Sequence, residues 1–216
     1  MRAIILAAGE SMLLDGFPKL LIKNPITNKT ILDHYLEAFE GMEVTVVVGY
    51  KAMEIINQYP KLNYVYNPHW ATTNNSGSLS IALNVEPCIV VSDDIFLNQD
   101  LIKEIIECNG DVVLTSVNES RSITSLNCIL DGTRISELYK GSIKDVKDPE
   151  AIGVYKISSS NVLKKWSKNC IRFPNLLIGE NLPSNKSEIL SYDLGNNYYF
   201  EINTIYDYLR FINEDK

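Results

Sequence analysis

Apolar positions along the chain alternate between two patterns. Short, nearly continuous runs of aliphatic residues occur at residues 3–7, 44–48 and 88–91. Runs of this kind fit strands covered on both faces, where neither side requires a polar residue. Between them, apolar residues recur at helical spacing. Ile31, Leu32, Tyr35, Leu36 and Phe39 form one such stripe. Thr30 and Asp33 have the spacing of a capping box at its start, and Gly41 ends it. The same reasoning predicts a short helix over 51–59, a strand at 64–66, and a polar loop over 67–78 followed by a helix through Leu83. A helix over 98–108 and a strand at 111–115 follow. This alternation predicts an α/β fold with a Rossmann-like, doubly wound, mostly parallel sheet.

The second half is less regular. Segments 127–130 and 133–139 flank Asp131-Gly132, a hairpin signal. Residues 151–157 form another apolar strand, and 158–166 read as a capped helix. Segments 190–194 and 198–202 flank Gly195-Asn196-Asn197 and predict a second hairpin. Thr204, with Asp207 three residues later, opens the last helix. No repeat, low-complexity tract or boundary divides the chain. The expectation is one domain over 1–216, with a regular half (1–115) and a hairpin-containing half (116–216).

Composition narrows the function. The chain has 216 residues, 45% of them hydrophobic, which is enough for a sizeable core. Its formal net charge is −7 and no basic stretch could track a phosphodiester backbone, so nucleic acid is not an expected partner. An acidic protein that binds phosphates needs local cations or a divalent metal to overcome its own field. Cys88, Cys108, Cys128 and Cys170 lack metal-ligand or redox spacing and read as free thiols of a reducing compartment. There is no signal-peptide pattern, and no apolar run reaches the ~18 residues of a membrane span. A soluble, cytoplasmic protein without membrane insertion is expected. Apolar segments of the second half suit a homodimer contact.

Three segments carry chemistry. The strand at 3–7 enters the small-residue turn Ala7-Ala8-Gly9-Glu10-Ser11, and Pro18-Lys19 follows. A tight glycine turn after a buried strand presents several backbone N–H groups together, which suits a phosphate. Lys19 supplies the full charge that backbone dipoles lack. Asp93-Asp94 follows the strand at 88–91, and Glu201-Ile202-Asn203 ends a late strand. The C-terminal ends of parallel strands would bring these segments together. A carboxylate pair with a further acid or amide is an oxygen-rich site of the kind Mg²⁺ prefers. Asn203 also has the chemistry of a helix N-cap.

In order and surroundings these segments resemble the nucleoside triphosphate transferase superfamily, whose opening signature is roughly LAAGxGxRM followed by PK. Leu6-Ala7-Ala8-Gly9-Glu10-Ser11 and Pro18-Lys19 match it. Val47-Val48-Gly49-Tyr50 is similar to the family's second strand and turn. Ser92-Asp93-Asp94-Ile95-Phe96 is similar to its GDxxF motif, and Glu201-Ile202-Asn203-Thr204 with Asp207 to its EIDTxxD motif. Asn67-Pro68-His69-Trp70, Asn74-Asn75 and Ser78-Leu79 resemble a loop of cytidylyltransferases acting on phosphocholine, aminoethylphosphonate or inositol phosphate.

The resemblance implies a nucleotide-diphospho-sugar transferase fold, with a nucleotide-binding first half and an acceptor-binding second half. It implies transfer of a nucleotidyl group, CMP from CTP favoured, to a small phosphorylated or phosphonate acceptor with release of pyrophosphate. Lys19 and Asp93 would be catalytic, and Asp93 and Asn203 would hold Mg²⁺. Leu6, Ala7, Ala8, Gly9, Glu10, Ser11, Lys19, Asn75 and Ser78 would bind the nucleotide. Asn74, Lys140 and Glu201 would bind the acceptor.

Two positions depart from the pattern. Leu13 stands where the family has arginine, which removes a bidentate phosphate clamp. Lys23 and Arg2 are candidate substitutes, although Arg2 begins a strand at its far end. Asn203 stands where aspartate is usual, and its amide oxygen can still ligate Mg²⁺. Sugar-1-phosphate or molybdenum-cofactor nucleotidyl transfer, and nucleotide binding without catalysis, stay open alternatives.

Overall fold

Every residue of β1 (Arg2–Ala7) after Arg2 is buried. In the computed structural model, which describes residues 1–117, 124–186 and 188–213, β1 lies inside a large sheet. Its side chains alternate between the two faces. Ala3, Ile5 and Ala7 join a core with α1 (Ile31–Ala38) and α4 (Gln99–Glu107). Ile4 and Leu6 join a second core with α3 (Asn75–Ala82) and α5 (Ser160–Arg172). A strand apolar at every position therefore needs helices on both sides of the sheet, and the chain supplies them.

The other elements are β2 (Glu43–Val48), α2 (Ala52–Gln58), β3 (Asn63–Tyr66), β4 (Cys88–Ser92), β5 (Ile95–Leu97), β6 (Asp111–Ser116), β7 (Leu126–Asp131), β8 (Arg134–Lys140), β9 (Glu150–Ile157), β10 (Ile189–Asp193), β11 (Tyr199–Glu201) and α6 (Ile205–Asn213). Among the described residues, nine strands form one sheet in the order β3-β2-β1-β4-β9-β6-β10-β8-β7. Pairings β3–β2–β1–β4 are all parallel. β9 then inserts antiparallel between β4 and β6, so the sheet is mixed beyond β4. The order reverses between β1 and β4, and the loops that follow both strands leave the sheet at one edge. That edge is a topological switch point, where open α/β sheets bind ligands.

Local signals set several boundaries. Thr30 accepts from the Asp33 amide and Asp33 accepts from the Thr30 amide, closing the expected capping box on α1. Thr204 and Asp207 do the same on α6, at 2.8 and 3.2 Å. The turn between β7 and β8 holds Gly132 at φ +64°, as a hairpin turn requires. α5 runs past its expected end to Arg172, because Trp166 and Cys170 continue its buried stripe.

Two expectations do not hold. The polar segment 67–78 is not all loop: α3 already begins at Asn75. Its buried side opens with Ser76, Gly77 and Ser78, small residues that give no hydrophobic periodicity, before Leu79 and Ala82. The second predicted hairpin is absent. β10 pairs in parallel with β6, whereas β11 pairs with β5 in a separate two-stranded ribbon. Phe200 of β11 packs against Phe211 at 5.4 Å, and Phe211 against Phe96 at 5.2 Å. Burying that aromatic group draws β11 away from β10. No described helix is long and apolar enough to cross a membrane, and all four cysteines are free.

Candidate active site

The turn after β1 opens at the switch-point edge. The Ala8 carbonyl accepts from the Tyr50 amide at 3.0 Å, which ties the turn to the residues following β2. Beyond it, the amides of Gly9, Glu10 and Ser11 find no acceptor among the described residues. Ser11 closes the loop instead through its carbonyl, which accepts from Leu14 and Gly16, both at 2.9 Å. A Cβ placed on Gly9 would meet no atom within 4 Å, so the fold itself does not require glycine there. At Gly49 the reverse holds: a Cβ would lie 2.5 Å from the Ala8 carbonyl oxygen and 2.6 Å from Trp70 Cβ. Gly49 therefore shapes the turn from behind, whereas Gly9 keeps its open side clear.

Lys19 reaches across to the acidic segments. Its ammonium donates to Asn203 Oδ1 at 2.7 Å and pairs with Asp94 Oδ2 at 3.3 Å. Desolvation pulls its pKa down, but the Asp94 and Asp93 carboxylates outweigh this and raise it. Asn203 Nδ2 donates to Glu201 Oε1 at 2.5 Å. Because Thr204 caps α6, the Asn203 side chain is left for Lys19 and Glu201. Desolvation, and then the Asp94 charge, hold Glu201 above the usual carboxylate range.

Asp93 sits half-buried beside this group. Burial pushes its carboxyl up to about 7, with Lys19 opposing the shift and Asp94 adding to it. No side-chain donor reaches the Asp93 carboxylate among the described residues. The turn bearing both aspartates is pinned from below. The Tyr35 hydroxyl of α1 meets the carbonyls of Ser92 at 3.0 Å and Ile95 at 2.9 Å. Tyr35 is fully buried, and desolvation holds its pKa well above the phenol range, so it stays a donor.

A cleft of about 980 Å³ joins these parts. Glu10, Ser11 and Lys19 line it from the first half, with Asn74 and Asn75 at the start of α3. Lys140, Glu201 and Asn203 line it from the second. Other expected residues lie off its wall. Leu6, Ala7 and Ala8 are buried at the end of β1, behind the open turn. Ser78 is buried off the wall, and its hydroxyl accepts from Asn67 Nδ2 at 3.0 Å. Asn75 is half committed: its Oδ1 accepts from the Ile178 amide at 2.9 Å. Trp70 packs on Tyr50 at 5.0 Å rather than facing the cleft. Gly9 and Asp93 also lie off the wall, and Asp94 is the aspartate on it.

The cleft also holds residues that sequence reasoning passed over, namely Glu150, Tyr155, Tyr199 and Arg210. Arg210 carried a signal, a lone cation one turn beyond a capping Asp. The place where α6 docks could not be read from the sequence.

The sequence of residues 3–170 matches the family model of the MobA-like NTP transferase domain. The chain belongs to the MobA-like NTP transferase family. This NTP transferase is accordingly a nucleotidyltransferase. No protein of curated function matches it in sequence. Its fold is that of solved nucleotidyltransferases. It is 18% identical to CTP:phosphocholine cytidylyltransferase from Streptococcus pneumoniae, with TM-score 0.77, covering 100% of this chain and 99% of that one. For the inositol-1-phosphate CTP transferase of T. maritima, identity is 16% and TM-score 0.73, over 95% of this chain and 90% of that one. A UDP-glucose pyrophosphorylase solved with UDP-glucose is 13% identical at TM-score 0.76, over 99% and 97% of the two chains. At these identities the likeness concerns the fold.

Proposed function

We propose that this NTP transferase is a cytoplasmic, Mg²⁺-dependent cytidylyltransferase that moves CMP from CTP to a small phosphorylated acceptor. The observation that carries the phosphate half of this reading is the open turn at Gly9–Ser11, with free amides at all three residues and with Glu10 and Ser11 lining the cleft beside Lys19. The amides would hold polyphosphate oxygens, and Lys19 would neutralise charge that grows as the α-phosphorus is attacked. An acceptor phosphate oxygen forms the new bond to that phosphorus. The bond to the bridging oxygen breaks, and its electron pair leaves with pyrophosphate. Lys140 is exposed on the cleft wall and has no ion-pair partner among the described residues, so it suits the acceptor phosphate. Two of the fold relatives are named for CTP, and their acceptors are small-alcohol phosphates.

The oxygen donors fit a hard divalent cation. Asp93 and Asn203 would hold it, and the poor solvation of the Asp93 carboxylate is what a cation would relieve. When bound, Mg²⁺ would supply charge neutralisation at the triphosphate and polarise the α-phosphorus.

Pyrophosphate release measured with each NTP and with phosphocholine, aminoethylphosphonate and inositol phosphate tests the reading. Fast release with CTP and one of these acceptors is expected. Nucleotide binding without release for any pair would sink it. The two glycines sharpen the test. Gly9→Ala should leave the melting temperature close to wild type while weakening CTP binding, since its methyl enters the space meant for phosphate. Gly49→Ala should lower the melting temperature outright, because its methyl meets backbone. Equal effects of both on stability would refute the assignment of Gly9 to ligand space.

A further inference from the structure

A polyphosphate entering this cleft meets an acidic loop. From Ala8 to Pro18 the chain carries Glu10 and Asp15 and no lysine or arginine. Among the described residues, the cations on the cleft wall are Lys19, Lys140 and Arg210. Lys19 is already engaged with Asp94 and Asn203. The two substitutes suggested by sequence lie elsewhere. Arg2 donates to the Ala82 carbonyl at 2.6 Å, at the opposite end of β1, and Lys23 is exposed and off the cleft wall.

Arg210 has the right placement and is uncommitted. Asp207 and Arg210 are three apart on α6, so they share one face of the helix, and both line the cleft. The Asp207 carboxylate is occupied by the amides of Asn203 at 3.1 Å and Thr204 at 2.8 Å and by the Thr204 hydroxyl at 2.9 Å. Arg210 forms no ion pair among the described residues. Its guanidinium lies over the Phe200 ring, 5.4 Å from the centroid. A face contact of this kind steadies the guanidinium and leaves its edge N–H groups free. That edge matches two phosphate oxygens at once.

We infer that Arg210 is the polyphosphate clamp of this chain, supplied from the last helix in place of a cation in the loop after β1. The inference rests on the nucleotidyl-transfer reading. As the bond between the α-phosphorus and the bridging oxygen breaks, negative charge accumulates on the departing pyrophosphate. Arg210 binds that charge, and the empty loop needs no arginine of its own.

Calorimetric titration of the full chain with pyrophosphate, CTP and CMP, each with Mg²⁺, tests the assignment without requiring turnover. Arg210→Ala should weaken pyrophosphate and CTP by about 10- to 100-fold, the range for a lost charge-assisted pair, and leave CMP unchanged. Arg210→Lys should recover part of the loss. Leu13→Arg combined with Arg210→Ala should recover most of it, because the second cation returns to the loop. Thermal melts check that each variant is folded. Unchanged pyrophosphate affinity in a folded Arg210→Ala protein that still binds CTP overturns the clamp alone. Equal weakening of CMP and pyrophosphate also overturns it, since that pattern marks a general structural role. A wild-type protein that binds neither CTP nor pyrophosphate overturns the nucleotidyl-transfer reading itself.

Discussion

Asparagine in place of Asp93 is expected to lower turnover by about 10²–10³-fold, the scale of removing one preorganised charge from a transition-state site. The same substitution should make the ligand-free protein more stable at pH 8. The sign follows from the carboxyl, which is pushed up to about 7 by burial in the folded chain and returns to an ordinary 3.8 on unfolding. Below about pH 4 both states are protonated and burial carries no penalty. Between about pH 4 and pH 7 the unfolded chain releases its proton first, so wild-type stability falls as pH rises. Above pH 7 the penalty is complete. The variant and wild type should therefore melt together near pH 4 and diverge in favour of the variant by pH 8. Divalent metal should narrow the gap by stabilising only the wild type. A variant that melts below wild type at pH 8 would show that the ionised carboxylate is stabilised in the fold, and would remove Asp93 as the waiting metal ligand.

Removing the ammonium should act in the opposite direction on stability. Lys19→Ala is expected to reduce turnover by about 10²–10³-fold, and also to destabilise the ligand-free protein more at pH 8 than at pH 5. Without Lys19, the carboxylates of Asp93, Asp94 and Glu201 face one another with no counter-charge. The protonated forms of Asp93 and Glu201 are then favoured further, and folding becomes harder as pH rises. Lysine's own titration plays no part in this range, because its pKa lies above 10.5 in the fold and its contribution is intact up to that pH. Comparing melts of the single variants with Lys19→Ala/Asp93→Asn would show the coupling. The double variant should lose much of the pH 8 defect, and purely additive melts would argue that the two groups do not interact.

The parts of this site that could be read from the sequence are those fixed by short-range rules. A buried strand ending in glycine, a capping box and Asp93-Asp94 after an apolar run each declare themselves within a few residues. Their convergence follows from parallel pairing, which the alternation of strands and helices already implies. Contacts decided at long range stayed hidden. Gly195-Asn196-Asn197 has hairpin chemistry, yet β11 finds β5 about a hundred positions earlier because Phe200 is buried there. The first turn of α3 reads as loop because its buried residues there are serine and glycine, with Asn181 donating to Ser76 at 2.8 Å, and aliphatic packing begins only at Leu79. Ser78 lies on that same buried side, hydrogen-bonded to Asn67, which a reading of this segment as loop does not show.

The phenol of Tyr35 ties the acidic turn to a helix whose first turn is fastened in its own way. Thr30 and Asp33 both contact the Tyr59 hydroxyl, at 2.6 and 3.0 Å. Two sets of side-chain hydrogen bonds on α1, Tyr59 with Thr30 and Asp33 at its first turn and Tyr35 one turn on, therefore connect the end of α2 through the helix to the carbonyls that frame Asp93 and Asp94. Tethers of this kind open locally at lower free energy than a sheet dissolves. Warming should accordingly silence the enzyme before it melts, with the acidic turn exchanging its amide hydrogens well below the temperature at which β1 and β4 release theirs. The thermal ceiling on activity would then be set at Tyr59, a residue that touches no substrate.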